Sequence, residues 1–424
     1  MTSKVALTEA ERNVLDAVDV EGLIAFVREL IAIPTLGGQE RHGQEHVAAT
    51  MRRFGLDVET WDLDVPGLRS HASFSMEVDR ESGLGVVGGM GEGQGRTLIL
   101  NGHVDVVPPG DVSLWDSPPW EASVRDGRVY GRGAVDMKGG LACALFAAKA
   151  IRDAGVRLRG SLLLESVIGE EDGGVGTLAT ALRGYRGDGA IVLEPTELKV
   201  APAQAGALSF RVTIRGLAAH ASVREEGVSA IEKFLPIVHA LRALEAERNR
   251  SVSDPLFARY RLPYALSIGT VRAGNWPSSV ADLLEFEGRY GVAIGEEVAT
   301  ARRSFEDAVA RAAREDPWLR EHPPRVEWWG GQFEPARIAN DHPLTTTVAD
   351  AHKDVTGRPA ALEGMTYGSD MRLLVNVAKT PAILYGPGDV RKAHRPNECV
   401  AVKDLASAVR TVALAALRFC GEAT

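Results

Sequence analysis

His103 and Asp105 stand two residues apart after an apolar run, Leu98, Ile99 and Leu100. In an extended segment such residues share a face, so the carboxylate can hold one imidazole nitrogen while the other binds a metal. A His-x-Asp pair by itself is common and usually structural. Here, however, Asp136 follows in a Gly-flanked turn, and Glu170-Glu171 sit between the apolar run SLLLESVI and Gly173-Gly174. Glu194 closes another apolar run in LEPT, and His394 follows the turn Gly386-Pro387-Gly388. His103, Asp136, Glu171, Glu194 and His394 lie on separate segments, and two imidazoles with three carboxylates suit zinc, cobalt or manganese. If Asp136 bridges, these five suffice for two ions, each with an open place for water. Two ions roughly 3.5–4 Å apart can polarise a carbonyl and generate hydroxide near neutral pH. Glu170 and Glu171, as neighbours in an extended segment, point opposite ways, so one can bind metal while the other serves as general base.

These residues need a scaffold that delivers them from strand ends. The periodicity predicts helices over residues 19–31, with Asp19 as N-cap, and 39–53, ending at Gly55. Residues 56–63 alternate like a strand, and the Gly-rich stretch 80–95 reads as a hairpin or loop. A helix of small residues (GGLACALFAAKAI) follows Asp136, and strands are expected at 161–168 and 190–193. Acidic residues at the carboxyl ends of strands are the pattern of an α/β domain with a central mixed sheet flanked by helices. The character changes near Gln204. Strands at 208–214, 265–271, 283–292 and 325–329, with helices at 228–244 (Pro236 a possible kink) and 296–315, suggest a smaller inserted α+β domain. From Asp341 the α/β pattern returns, with a helix at 344–355, a strand at 382–385 and a last helix at 402–419. The expected division is 1–203 and 334–424 for the catalytic domain and 204–333 for the insertion.

A net charge of -9 and the absence of a basic run argue against nucleic-acid or anionic-membrane partners. No stretch approaches the roughly 18 apolar residues of a membrane span. The N-terminal stretch MTSKVALTEAERNVLDAV lacks the apolar core of a signal peptide, so a cytoplasmic location is expected. Cys143, Cys399 and Cys420 are too scattered for a disulfide framework or zinc finger and read as small buried hydrophobes.

The blocks NGHVDVVPPGD, GRGAVDMKGG, GEEDGG, LEPT, GLAAHAS and GPGDVRKAH, in this order across nearly the whole chain, resemble those of the M20 metallopeptidase family. Within it the chain is most similar to deacylases of the acetylornithine deacetylase and succinyl-diaminopimelate desuccinylase type. The resemblance implies two divalent ions, zinc foremost. His103 and Glu194 would bind one, Glu171 and His394 the other, with Asp136 bridging. It further implies that Asp105 orients His103, that Glu170 is the general base and that a cis peptide follows Asp136. The insertion would be a lid and dimerisation domain. His220, in GLAAHAS, would reach across a homodimer interface to stabilise the oxyanion, a role worth about 10²–10³ in rate.

Arg372, in GSDMR, matches a position that often contacts a substrate carboxylate. Gly388 is expected to line the pocket by close backbone approach, and Asn275, in AGNWPSSV, is the third substrate-binding candidate. One block departs from the family. Where many members carry Asn-Val-Ile-Pro and an arginine ten residues after the proline, this chain has Ser278, Ala281 and Gly291. Arg289 lies two residues early, a shift of roughly 7 Å along a strand. The expected activity is hydrolysis of an amide in a small N-acylated amino acid or related amide. The alternatives are a dipeptidase or carboxypeptidase, a hydrolytic deaminase of a small aromatic or heterocyclic amine, and, most remotely, a non-catalytic binding protein.

Overall fold

The structure, a computed structural model, describes residues 7–250 and 252–423. The first six residues of the N-terminal stretch considered above therefore lie outside the described ones. The chain divides into two compact units. One contains the residues up to Ala203, Arg337–Glu363 and the chain from Ser369 onward; the other contains Gln204–Ala336 and Gly364–Gly368.

The first unit is built on a mixed sheet. Its strands lie in the order Asp57–Asp62, Leu84–Gly91, Ser161–Val167, Thr97–His103, Gly189–Val192, Ala382–Leu384, Val200–Gln204 and Ala336–Arg337, with Leu362–Met365 also paired to Val200–Gln204. Four neighbours in the middle, Ser161–Val167, Thr97–His103, Gly189–Val192 and Ala382–Leu384, run parallel. Their carboxyl ends therefore face the same way, where the crevice of an open α/β sheet forms. The sheet is covered by helices whose apolar faces share one core, among them Val20–Ala32, Gly139–Asp153 and Val402–Cys420. Asp19 caps the first by accepting from the Gly22 amide.

Residues Leu84–Gly91 form a strand rather than the expected hairpin or loop. Its glycines are demanded by packing on both faces: a Cβ on Gly85 would lie 2.4 Å from the Trp61 ring, and one on Gly88 2.9 Å from the Met51 sulfur. Composition hid the strand because neighbouring side chains fill the space its own would have taken.

The second unit is a four-stranded antiparallel sheet in the order Leu266–Ala273, Leu283–Val292, Gly206–Arg215, Arg325–Phe333. It is backed by the helices Ala230–Arg250 and Val298–Glu315 around Phe210, Phe286 and Phe305. The first of these helices continues through Pro236. Gly364–Gly368, expected in the α/β domain, groups with this unit: the Arg289 guanidinium donates to the Thr366 carbonyl at 2.8 Å, and the Ala205 amide to Met365. The expected fold class, a mixed central sheet with helices plus a small separate α+β unit, is the one observed. No helix among the described residues is long and apolar enough to cross a membrane.

Gly140 lets its helix pass directly over a strand end, because a Cβ there would lie 2.0 Å from the Leu193 carbonyl oxygen, next to Glu194. Gly140→Ala is expected to lower the unfolding free energy by about 1–3 kcal/mol despite alanine's better helix propensity. Urea denaturation checks this; an unchanged midpoint would mean that the helix is free to move.

Candidate metal centre

Each group of the cluster is delivered by the carboxyl end of a parallel strand or by a turn beside it. His103 ends Thr97–His103, Glu170-Glu171 follow Ser161–Val167, Glu194 follows Gly189–Val192, and His394 lies beyond Ala382–Leu384. Asp136 enters from the turn before Gly139–Asp153. It is joined to Met137 by a cis peptide bond.

The two oxygens of Asp136 face different histidines: Oδ1 lies 3.3 Å from His103 Nε2, and Oδ2 lies 3.3 Å from His394 Nε2. Around His103 Nε2 stand Glu194 at 3.6 Å and Glu170 at 3.9 Å, while Glu171 lies 3.0 Å from His394 Nε2. Ligand atoms of His103, Asp136 and Glu171 lie within 4.8 Å of one another, as do those of His103, Glu170 and Glu194. Glu170 and Glu171 occupy a turn rather than an extended segment. Both carboxylates therefore converge on the cluster instead of pointing to opposite sides, each toward a different histidine.

His103 Nδ1 is 2.9 Å from the main-chain carbonyl of Asp105 and 3.5 Å from its carboxylate. The carbonyl is thus the nearer orienting group. The Asp105 carboxylate instead accepts from the Glu171 amide at 3.0 Å and steadies the turn that carries both glutamates. With Nδ1 donating to a carbonyl, Nε2 presents a lone pair to three carboxylates. This buried nitrogen makes no hydrogen bond. A lone pair set among anions is what a divalent cation would satisfy, so the donor set fits one.

The electrostatics agree. Burial, then the Glu194 charge, pushes Glu170 well above the usual carboxylate range, and burial with Asp136 does the same to Glu194. Burial raises Glu171 as well. For Asp136 burial also works upward, but the His103 and His394 imidazoles that face its two oxygens outweigh it and hold the carboxyl far below its ordinary value. The Glu171 carboxylate raises His394 to about 11.

The remaining candidates lie as follows. Arg372 is fully buried, and its guanidinium donates to the Gly173 carbonyl at 2.7 Å. Its fork holds the loop after Glu170-Glu171 rather than facing an open pocket. Gly388 has φ +85, its carbonyl accepts from the Glu197 amide, and a Cβ there would lie 2.5 Å from Val135. That glycine is required by packing on the Asp136 turn. In the second unit, Asn275 lines an open groove of about 720 Å³ with Trp276, Arg224 and Ile231. His220, in the same unit but not among the residues lining that groove, is exposed, and its Nδ1 accepts from the Ser222 amide. The neutral ring therefore carries its proton on Nε2. At Gly291 a Cβ would sit 2.8 Å from the Tyr264 main chain, so no side chain fits.

Several groups escaped the sequence reading. Arg80 is buried between Glu40 and Asp172, and Lys138 donates to the Leu30 and Ile33 carbonyls at 2.8 Å. Arg132 pairs with Glu398. The available signal was a charge embedded among small or apolar neighbours, as in VDMKGG. Beneath His103, Asn101 donates to Glu165 and to Thr177, which donates to Asp370.

A profile of the family described as Peptidase family M20/M25/M40 matches residues 99–418. The chain is 30% identical over 410 residues to the N-formyl-4-amino-5-aminomethyl-2-methylpyrimidine deformylase of Bacillus subtilis, covering 91% of each. It is 28% identical over 395 residues to the succinyl-diaminopimelate desuccinylase of Methylorubrum extorquens, covering 90% of this chain and 94% of that one. Among solved structures, the dipeptidase Dug1p of Saccharomyces cerevisiae superposes with a TM-score of 0.78 at 13% identity, over 98% of this chain and 99% of that one. At that identity the likeness is one of fold.

Burial raises Glu165 from an ordinary 4.5 to about 7. The folded state thus holds a proton that the unfolded chain releases from about pH 4.5 upward, and stability falls as pH rises through this window. Glu165→Gln, a mimic of the protonated side chain, should match the wild type at pH 4 and exceed it by up to about 3 kcal/mol at pH 8. Urea melts at both pH values read this out.

Proposed function

Since the chain belongs to peptidase family M20/M25/M40, and is on that ground a metal-dependent amidohydrolase or peptidase, we propose that it is a deacylase. It removes a short acyl group, formyl foremost, from a small amine without a carboxylate. The observation that carries this reading is the single carboxylate, Asp136, whose two oxygens face two histidines, with Glu170 beside them. In this reading His103 and Glu194 would hold one divalent cation and His394 and Glu171 the other, with Asp136 available to both. Two bound cations, zinc foremost with cobalt or manganese as alternatives, supply polarisation of the amide carbonyl and a lowered pKa for water.

Glu170 takes the proton of the attacking water as its oxygen adds to the amide carbon. The C–N bond then breaks, and Glu170 returns that proton to the departing amine. His220, supplied by a second copy, donates from Nε2 to the oxygen of the tetrahedral intermediate. A homodimer through the inserted unit is supported by its edge strand Leu266–Ala273 and by the exposed Val271, Trp276, Ile231 and Leu235.

Substrate class follows from the arginines. Gly291 has no room for a side chain, Arg289 donates to Thr366, and Arg372 donates to Gly173. All this favours an amine without a carboxylate, such as the heterocyclic one in the Bacillus relative's name, over a diamino acid or a dipeptide.

Hydrolysis of N-formyl and N-acetyl aminomethyl-heterocycles, N-succinyl amino acids and dipeptides by the metal-loaded protein tests the substrate class. N-formyl amines should lead by about 100-fold in kcat/KM; a dipeptide in first place would refute the deacylase reading. Mixing His220→Ala with Glu170→Ala chains should restore activity to a fraction of the dimers, while each alone is slower by about 10² or more. No recovery on mixing would make each site self-contained.

A further inference from the structure

The turn that carries Asp136 and the loop that carries His394 are tied together by one buried side chain. Glu398 is fully buried. Its Oε1 accepts from the amides of Val135 at 2.9 Å and Asp136 at 3.2 Å. Its Oε2 accepts from the Arg132 guanidinium at 2.5 Å, and Arg132 donates in turn to the Pro108 carbonyl. The main chain joins in: the Gly131 amide donates to the Glu398 carbonyl, and Cys399–Ala401 pairs antiparallel with Arg128–Tyr130.

The strand pairing fixes where the two segments start, but both ligands lie beyond it, Asp136 after Tyr130 and His394 before Cys399. At Asp136 and Met137 the backbone leaves helical geometry, so the amides of this turn need an acceptor from elsewhere. A buried ion pair is weak evidence of a contribution to stability. What this one provides is an acceptor held at a fixed point under two consecutive amides.

We propose that Glu398 is a positioning residue that sets the distance between Asp136 and His394, two of the three groups, with Glu171, on which the second cation site depends. This rests on the two-cation reading above. The two halves of the cluster are anchored unequally. His103 is fully buried and held through Nδ1 by a carbonyl, whereas the His394 side chain is 52% exposed, on a residue at φ +56. Loosening the Asp136 turn against the His394 loop therefore weakens the Glu171–His394 side more than the His103–Glu194 side. Arg132 acts through Glu398: by engaging Oε2 it leaves Oε1 turned toward the amides.

The test is stepwise loading of the metal-free protein with cobalt(II), followed by d–d absorbance, and with zinc by calorimetry. Wild type should take two ions. In Glu398→Gln the side-chain amide meets the Arg132 donors and cannot serve both partners. The first ion should then bind within about threefold of wild type and the second about 10–100-fold more weakly. Adding Arg132→Met frees the glutamine carbonyl for the Val135 and Asp136 amides and should return the second ion to within about tenfold of wild type. Unchanged second-ion affinity in Glu398→Gln overturns the proposal, as does equal weakening of both ions without recovery in the double variant. If the glutamine variant does not fold, Glu398→Asp, which keeps the charge but shortens the reach, takes its place: a selective weakening of the second ion supports the proposal, and unchanged or equally weakened ions overturn it. A wild type that binds only one ion overturns the two-cation reading itself, and is recognised without any variant.

Discussion

Five carboxylates, those of Asp105, Asp136, Glu170, Glu171 and Glu194, crowd around two imidazoles at the end of a sheet, and most of them are shut off from water. Two histidines, even fully protonated, offset at most two of those charges. Burying uncompensated charge costs far more than any single packing interaction returns. The cluster therefore either holds extra protons, as the raised carboxyls of Glu170 and Glu194 express, or holds cations. Much of the surrounding structure keeps these groups from moving apart.

That restraint comes largely from buried cationic side chains bonded to carbonyls or paired one to one. Lys138 grips the end of the helix Val20–Ala32, Arg372 the loop after Glu171, and Arg80 both Glu40 and Asp172. None is offered to a ligand in this arrangement. Each satisfies backbone or carboxylate groups that would otherwise be buried unpaired, and each touches a segment that delivers a member of the cluster.

The inserted unit has a different logic. Its sheet and helices form an ordinary core, while Trp276, Val271, Ile231 and Leu235 remain exposed. The residues that depart from the family block, Gly291 and Arg289, are fixed by the packing of the Leu283–Val292 strand on Tyr264 and by the Thr366 carbonyl. The departure from the family block is thus built into the strand's environment: Gly291 has no space for a side chain, and Arg289 is held by a carbonyl.

The order of motifs, the alternation of strands and helices and the types of the site residues were all legible in the chain, because each depends on local periodicity or on the chemistry of a single side chain. His103, Asp136, Glu171, Glu194 and His394 could be singled out for that reason. Other features depended on which atoms meet once the chain is folded. Leu84–Gly91 became a strand because Trp61 and Met51 fill the space above its glycines. His103 found the carbonyl of Asp105 rather than its carboxylate. Arg372 turned inward to Gly173, and Glu398 reached back to Val135. Sequence alone determined which groups this protein brings to its centre. Tertiary structure decided which oxygen faces which nitrogen, because hydrogen-bond direction and close packing are set by the partner across the fold and not by the neighbour along the chain.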